Sequence, residues 1–170
     1  IRDLFERYLP PSQRVKRLGT VVDAPAILVL RGNAERGRQL FETAAGVQCK
    51  SCHRVGNVGQ AVGPDLTKIG KARNRAQLLD SILRPSREVD PKFTTYLIET
   101  VAGRVHTGLL VKRNKDRVIL KNAQGKQLSV PTSEIELLAP QRKSLMPELL
   151  VQDLTAEQLA DLLEFLLSLK

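Results

Sequence analysis

The chain has two cysteines, and both lie in one pentapeptide, Cys49-Lys50-Ser51-Cys52-His53. No other feature narrows the fold as much. C-x-x-C-H is the spacing of covalent haem attachment. Two thiols three positions apart on a helical turn can reach the two vinyl groups of one porphyrin, and the adjacent imidazole can meet the iron above the same ring. The rival uses of such a motif each lack something. A redox dithiol should follow a strand in a βαβ unit, whereas this motif follows a helical pattern and precedes a glycine-rich loop. A tetrahedral zinc site wants four ligands, and beyond Cys49, Cys52 and His53 the only other histidine is His106.

Composition is consistent with a chain that folds around a large apolar group. Hydrophobic residues make up 42% and charged residues 26%, a soluble globular balance, yet aromatics are only 4% and Trp is absent. The core must then be aliphatic, or be completed by something the sequence does not encode. A net charge of +9 permits nucleic acid, anionic lipid or an acidic protein as partner. The basic residues are scattered and lack interleaved aromatics for stacking on bases, which argues against nucleic acid. No membrane span is expected, because the most apolar stretch, residues 154–169, is interrupted by Asp161 and Glu164. The chain starts at Ile1 rather than Met, so a targeting segment is expected to have been removed.

Hydrophobic periodicity divides the chain into helical ends and a strand-rich middle. Leu4, Phe5, Tyr8 and Leu9 share a face of a short docking helix stopped by Pro10 and Pro11. Residues 1–32 read as a lead-in that wraps the domain or joins it to something upstream. Asn33 caps a helix with Gly37 and Phe41 on one face, over which a second helix can approach closely. Asn74 caps another, with Leu78, Leu79, Ile82 and Leu83 as its apolar stripe and Pro85 as its end. From Phe93 the period becomes two, with turns at 102–103, 114–116 and 122–125, predicting an antiparallel meander of four or five strands over residues 93–138. Thr155 and Gln158 form a capping box for a last helix with Leu159, Leu162, Leu163, Leu166 and Leu167 inward, and Leu154 is placed to staple onto Leu159.

These segments carry a family resemblance. Gly37-Arg38-Gln39-Leu40-Phe41 looks like the N-terminal helix of class I c-type cytochromes, which crosses a C-terminal helix represented here by residues 162–166. Gly63-Pro64-Asp65-Leu66 is similar to the family's Gly-Pro-x-Leu, whose proline carbonyl accepts the proton on the far nitrogen of the haem-ligating histidine. The sole methionine, Met146 in Ser144-Leu145-Met146-Pro147, stands where that family places its second axial ligand, although a lone Met can equally be core filler. His106 reads as an ordinary strand residue. The order from Leu18-Gly19-Thr20 through Asp80-Ser81-Ile82-Leu83-Arg84-Pro85-Ser86 to the Met146 motif resembles a haem-binding domain of planctomycete and verrucomicrobial proteins, which often ends chains carrying a dehydrogenase-like propeller.

The resemblance implies a mainly α fold, with a cytochrome c-like helical core from residues 33–92 and 139–170 around one covalent haem c and a small antiparallel β insert at 93–138. Cys49, Cys52, His53, Pro64 and Met146 would bind the cofactor, His53 and Met146 being the iron ligands. Function would be single-electron transfer without substrate turnover, to or from redox partner proteins or an upstream dehydrogenase domain, in a periplasmic or other extracytoplasmic compartment. The alternative is a peroxidase-like or gas-sensing haem with an open sixth position. The insert is expected to do no chemistry, and its basic set, Arg104, Lys112, Arg113, Lys115, Arg117, Lys121 and Lys126, forms either a docking surface or a solvated strand face.

Overall fold

A computed structural model describes residues 5–6, 8–43 and 47–170. Five helices carry the core: α1 (Ala24–Val29), α2 (Ala34–Thr43), the single turn α3 (Ile69–Ala72), α4 (Arg75–Leu83) and α5 (Ala156–Ser168). The starts of α1, α2, α4 and α5 are set by side chains that satisfy the first free backbone N–H groups. Asp23 accepts from Ala26 N, and Asn33 Oδ1 from Arg36 N. Both Asn74 with Gln77 and Thr155 with Gln158 close reciprocal capping boxes.

Helix α5 is the hub, with Leu159, Leu162, Leu163, Phe165 and Leu166 all buried. It is crossed by α2 at Gly37. A Cβ added there would lie 2.0 Å from the Asp161 carbonyl oxygen, so only glycine lets the two backbones approach this closely. Phe41 and Phe165 fill the space beside the crossing with ring centroids 5.6 Å apart. Sequence periodicity had marked Asp161 only as a break in an apolar run. It is 4% exposed, and its carboxylate accepts from Asn33 N at 2.6 Å and from Arg36 Nε and a terminal guanidinium nitrogen at 2.7 and 2.8 Å. A buried charge so bonded at the start of α2 fixes how that helix meets α5.

The lead-in wraps this core. Leu18 N donates to Leu154 O and Gly19 N to Gln152 O, and Ile27 of α1 is buried in the main cluster. Of the expected docking helix, Leu4 lies outside the described residues, and Phe5 and Tyr8 are exposed.

A two-strand hairpin, β1 (Arg54–Val55) and β2 (Val58–Gly59), follows the cysteine motif. The insert is a five-stranded antiparallel sheet of β3 (Thr95–Thr100), β4 (Val105–Arg113), β5 (Arg117–Lys121), β6 (Gln127–Pro131) and β7 (Ile135–Pro140). Its turns form at the predicted places. Asn114 Oδ1 accepts from Asp116 N and Arg117 N, Asn122 Oδ1 accepts from Gln124 N and Lys126 N, and Gly103 and Gly125 supply positive φ.

Two expectations need correction here. With helix over 34% of the chain and strand over 23%, the fold is mixed rather than mainly α. Strands β3 to β6 pair in sequence as the expected four-stranded meander, but β7 returns to the far edge beside β3, so the spatial order is β6-β5-β4-β3-β7. A flat sheet of five strands places its edges about 19 Å apart at the usual strand spacing. Yet β6 and β7 are joined only by a 3-10 turn, Thr132–Glu134, a length that spans no more than about 14 Å even when extended. The sheet therefore curls, and it closes around its own core of Ile98, Val118, Leu120 and Val130.

Candidate haem site

The cysteine motif begins in a 3-10 turn, Cys49–Ser51. Cys52 N and His53 N both donate to Cys49 O, at 3.2 and 2.9 Å, which keeps the pentapeptide in one tight helical coil. The chain then wraps back around it. Gln60 N donates to Lys50 O, and Val62 N and Gly63 N both donate to Cys52 O, the latter at 2.7 Å. Gly59, at φ +93°, passes over the His53 carbonyl where a Cβ would sit 2.1 Å from that oxygen.

The His53 ring is held from one side. Its Nδ1 lies 2.8 Å from Pro64 O. A carbonyl can only accept, so Nδ1 carries the proton and Nε2 keeps its lone pair. Gly63 leaves room for the ring, since a Cβ there would come within 2.7 Å of Cε1. Burial pushes the His53 pKa down, and the bond to Pro64 pushes it partly back. The favoured form is the neutral imidazole, the form that binds a metal.

The Pro64 loop has its own anchors. Thr67 N donates to Asp65 Oδ1, and Arg54 donates through two nitrogens to Asp65 Oδ2 at 2.7 and 2.9 Å. Bonds from Thr67, then the Arg54 guanidinium, hold the Asp65 carboxyl down to about 2. Gly56 N donates to Thr67 Oγ1, tying the β1–β2 turn to the same loop.

Cys49, Cys52, His53, Pro64 and Met146 all line one cavity of ≈ 870 Å³. Much of its wall is apolar, including Phe41 of α2, Leu78 and Ile82 of α4, and Leu162 and Leu166 of α5. The volume suits a large cofactor, and the donor set, two thiols and a neutral imidazole at the wall of an apolar slot, is the one a covalent haem requires. Burial pushes the Cys49 thiol up to about 11 and the Cys52 thiol upward as well. Activated redox thiols move the other way. Among the described residues no three His, Cys, Asp or Glu side chains cluster as a metal site would need, so the zinc reading lacks its ligands. His106 sits on β4 opposite Ile98 and does not line the cavity.

What the sequence reading missed is the insert's share of this site. Leu109 of β4 and Ala123 and Gln124 of the β5–β6 turn line the cavity. Cys52 Sγ lies 3.8 Å from Ala123 O, and Lys121 Nζ donates to Ala61 O. No local pattern could have revealed this, since the contacts join residues some sixty to seventy positions apart. Along β4, Val105 and Val111 are exposed, and Leu109 is buried at the cavity.

A family model described as cytochrome c matches residues 34–103. The match supports a c-type cytochrome. It spans α2, the cysteine motif, the Pro64 loop, α4 and β3, and ends before Met146 and α5. Cytochrome c domains bind haem c and its iron covalently, and Cys49 and Cys52 are the pair of thiols available for it. Such domains generally act as electron-transfer modules that pass electrons to redox partners. No curated protein matches the chain. Among the described residues no helix is long and apolar enough to cross a membrane.

Proposed function

We propose that this domain transfers single electrons through one haem c, which Cys49 and Cys52 would hold by thioethers and whose iron His53 and Met146 would ligate. The observation that carries the reading is the bond between His53 Nδ1 and Pro64 O, which leaves Nε2 as the free ring nitrogen in a cavity that both thiols and Met146 also line. When bound, haem iron supplies a one-electron ferric–ferrous couple.

The protein's own residues adjust that couple. The Pro64 carbonyl fixes the His53 tautomer and makes the ring a stronger donor. The Met146 thioether favours the ferrous state and raises the potential. Leu109, Leu162 and Leu166 give the site apolar walls, which lower the local dielectric. The domain carries out no substrate turnover. Its donor and acceptor are redox partner proteins or an upstream dehydrogenase domain, the latter being what the resemblance to planctomycete and verrucomicrobial haem-binding domains implies. Haem attachment of this type places the domain in the periplasm or another extracytoplasmic compartment.

The test is Met146→Ala in natively matured protein. Wild type should show the weak far-red sulfur-to-iron band in the ferric state and resist carbon monoxide when reduced. The variant should lose the band, bind carbon monoxide and have a lower potential, while His106→Ala should match wild type. A wild type that lacks the band and binds carbon monoxide freely has an open sixth position, and the peroxidase-like or gas-sensing reading then replaces simple electron transfer.

A further inference from the structure

Gln141 N is held by Thr95 O, and Val151 and Leu154 are buried in the main cluster, but between these anchors the stretch 142–148 that bears Met146 forms no helix or strand. Three residues beyond Met146, Leu149 sits at φ +59°, a left-handed conformation that a leucine adopts only at a cost. Some contact with the rest of the fold must offset that cost. Among the described residues, the hydrogen bonds that tie residues 142–148 to the remainder of the chain both end on one atom, Ser86 Oγ. It accepts from Ser144 N at 3.2 Å and lies 3.3 Å from Glu148 Oε1, to which it can donate. Inside the segment, Ser144 Oγ accepts from Met146 N at 3.1 Å.

Ser86 is well placed for this role. It follows buried Pro85, just past the end of α4, whose Leu78 and Ile82 wall the cavity. One hydroxyl thus links a rigid cavity wall to the segment two residues before and two residues after Met146. A hydroxyl can accept and donate at once, which neither alanine nor a carbonyl can do.

The geometry points to Ser86 as a positioning residue for the sixth ligand: its hydroxyl clamps the Met146 segment closed over the cavity and sets how often the thioether leaves the iron. This inference rests on Met146 being a ligand. It predicts a population effect, because carbon monoxide can occupy the sixth position only in the fraction of molecules whose methionine has swung away. Losing both hydrogen bonds of the clamp should raise that fraction on the order of tenfold.

The experiment compares carbon monoxide association with the reduced holoprotein, and the ferric far-red band, in wild type, Ser86→Ala, Ser86→Thr and Glu148→Ala. Ser86→Ala should bind carbon monoxide about tenfold faster and show a weakened band. Ser86→Thr, which keeps the hydroxyl, should return both readouts towards wild type. Glu148→Ala removes one of the two bonds and should give a smaller rise, which preserves the test if Ser86→Ala fails to mature. A merely structural serine would lower the thermal midpoint without moving either readout. If wild type shows the far-red band and both Ser86→Ala and Glu148→Ala keep wild-type carbon monoxide kinetics, the clamp is refuted. If wild type lacks the band, the ligand assignment itself has failed and the clamp falls with it.

Discussion

Around α5 the apolar side chains face a cavity, whereas in the inserted sheet Ile98, Val118, Leu120 and Val130 face one another. The helical part is a shell. Its main cluster gathers α1, α2, α4 and α5, and Phe41, Leu78, Ile82, Leu162 and Leu166, themselves buried, stand at the wall of the cavity. Apolar surface left without partner atoms forfeits both burial and dispersion energy, so such a shell is incomplete until something fills it. The sheet needs no such filling, since curling brings its own side chains together. The two parts meet where Leu109 and Ala123 close one side of the cavity. The comparison teaches that the insert is a wall of the site as well as an appendage to it.

Gly37→Leu attacks the shell where α2 crosses α5 backbone to backbone. The neighbours of the added Cβ include the Asp161 carbonyl, which cannot rotate aside, so the cost should exceed the 1–3 kcal/mol usual for overpacking and reach about 3 kcal/mol or more. Calorimetry of the holoprotein should show a large fall in thermal midpoint, with the sheet's amides losing hydrogen-exchange protection less than those of α2 and α5. Equal loss in both parts would break the distinction.

Ile98→Val is the counterpart in the sheet. Deleting one methyl group at a residue with no exposed surface should cost about 1 kcal/mol. Chemical denaturation should register that loss while the visible spectrum stays unchanged, because Ile98 does not line the cavity. A shifted haem spectrum would show the two cores to be coupled more tightly than their contacts imply.

The smallest effect concerns the exposed anchor of the Pro64 loop. Asp65 is held well below its ordinary value of 3.8, at about 2, so its contribution to stability is full above pH 4 and is lost as pH falls from there towards 2. Asp65→Asn should lower stability slightly at neutral pH, by a difference that vanishes as pH falls towards 2, and so flatten that part of the acid-denaturation curve. Added salt should shrink the difference, since the pair with Arg54 is solvent-exposed. An unaltered acid limb would remove Asp65 from the account of the loop.

Much of this was readable from local signals. The C-x-x-C-H spacing, the Asn74 and Thr155 caps, the Gly37 face and the asparagine turns of the insert are each set by residues within about one turn of one another, where sequence and geometry are tied directly. The Pro64 contact with His53 was legible only through family resemblance. What escaped were bonds over long sequence distances: Asp161 with Arg36, Ser86 with Ser144, and the insert's hold on the loop beside Cys52. Asp161 gave a faint sign, a lone acid on the apolar face of a helix, and it was read as an interruption instead of a partner. The return of β7 to pair with β3 had no local signature, because a strand's alternation says nothing about which neighbour it joins.

The central claim is that Cys49 and Cys52 hold a haem covalently, and acid–acetone extraction of the natively matured protein tests it most directly. Thioether bonds do not depend on the fold, so the colour should stay with the precipitated polypeptide, and the pyridine haemochrome of that polypeptide should have the spectrum of a haem whose two vinyl groups are saturated. Cys49→Ser together with Cys52→Ser should abolish it. Colour that passes wholly into the acetone, or protein that purifies colourless from a host competent in c-type maturation, would contradict the account.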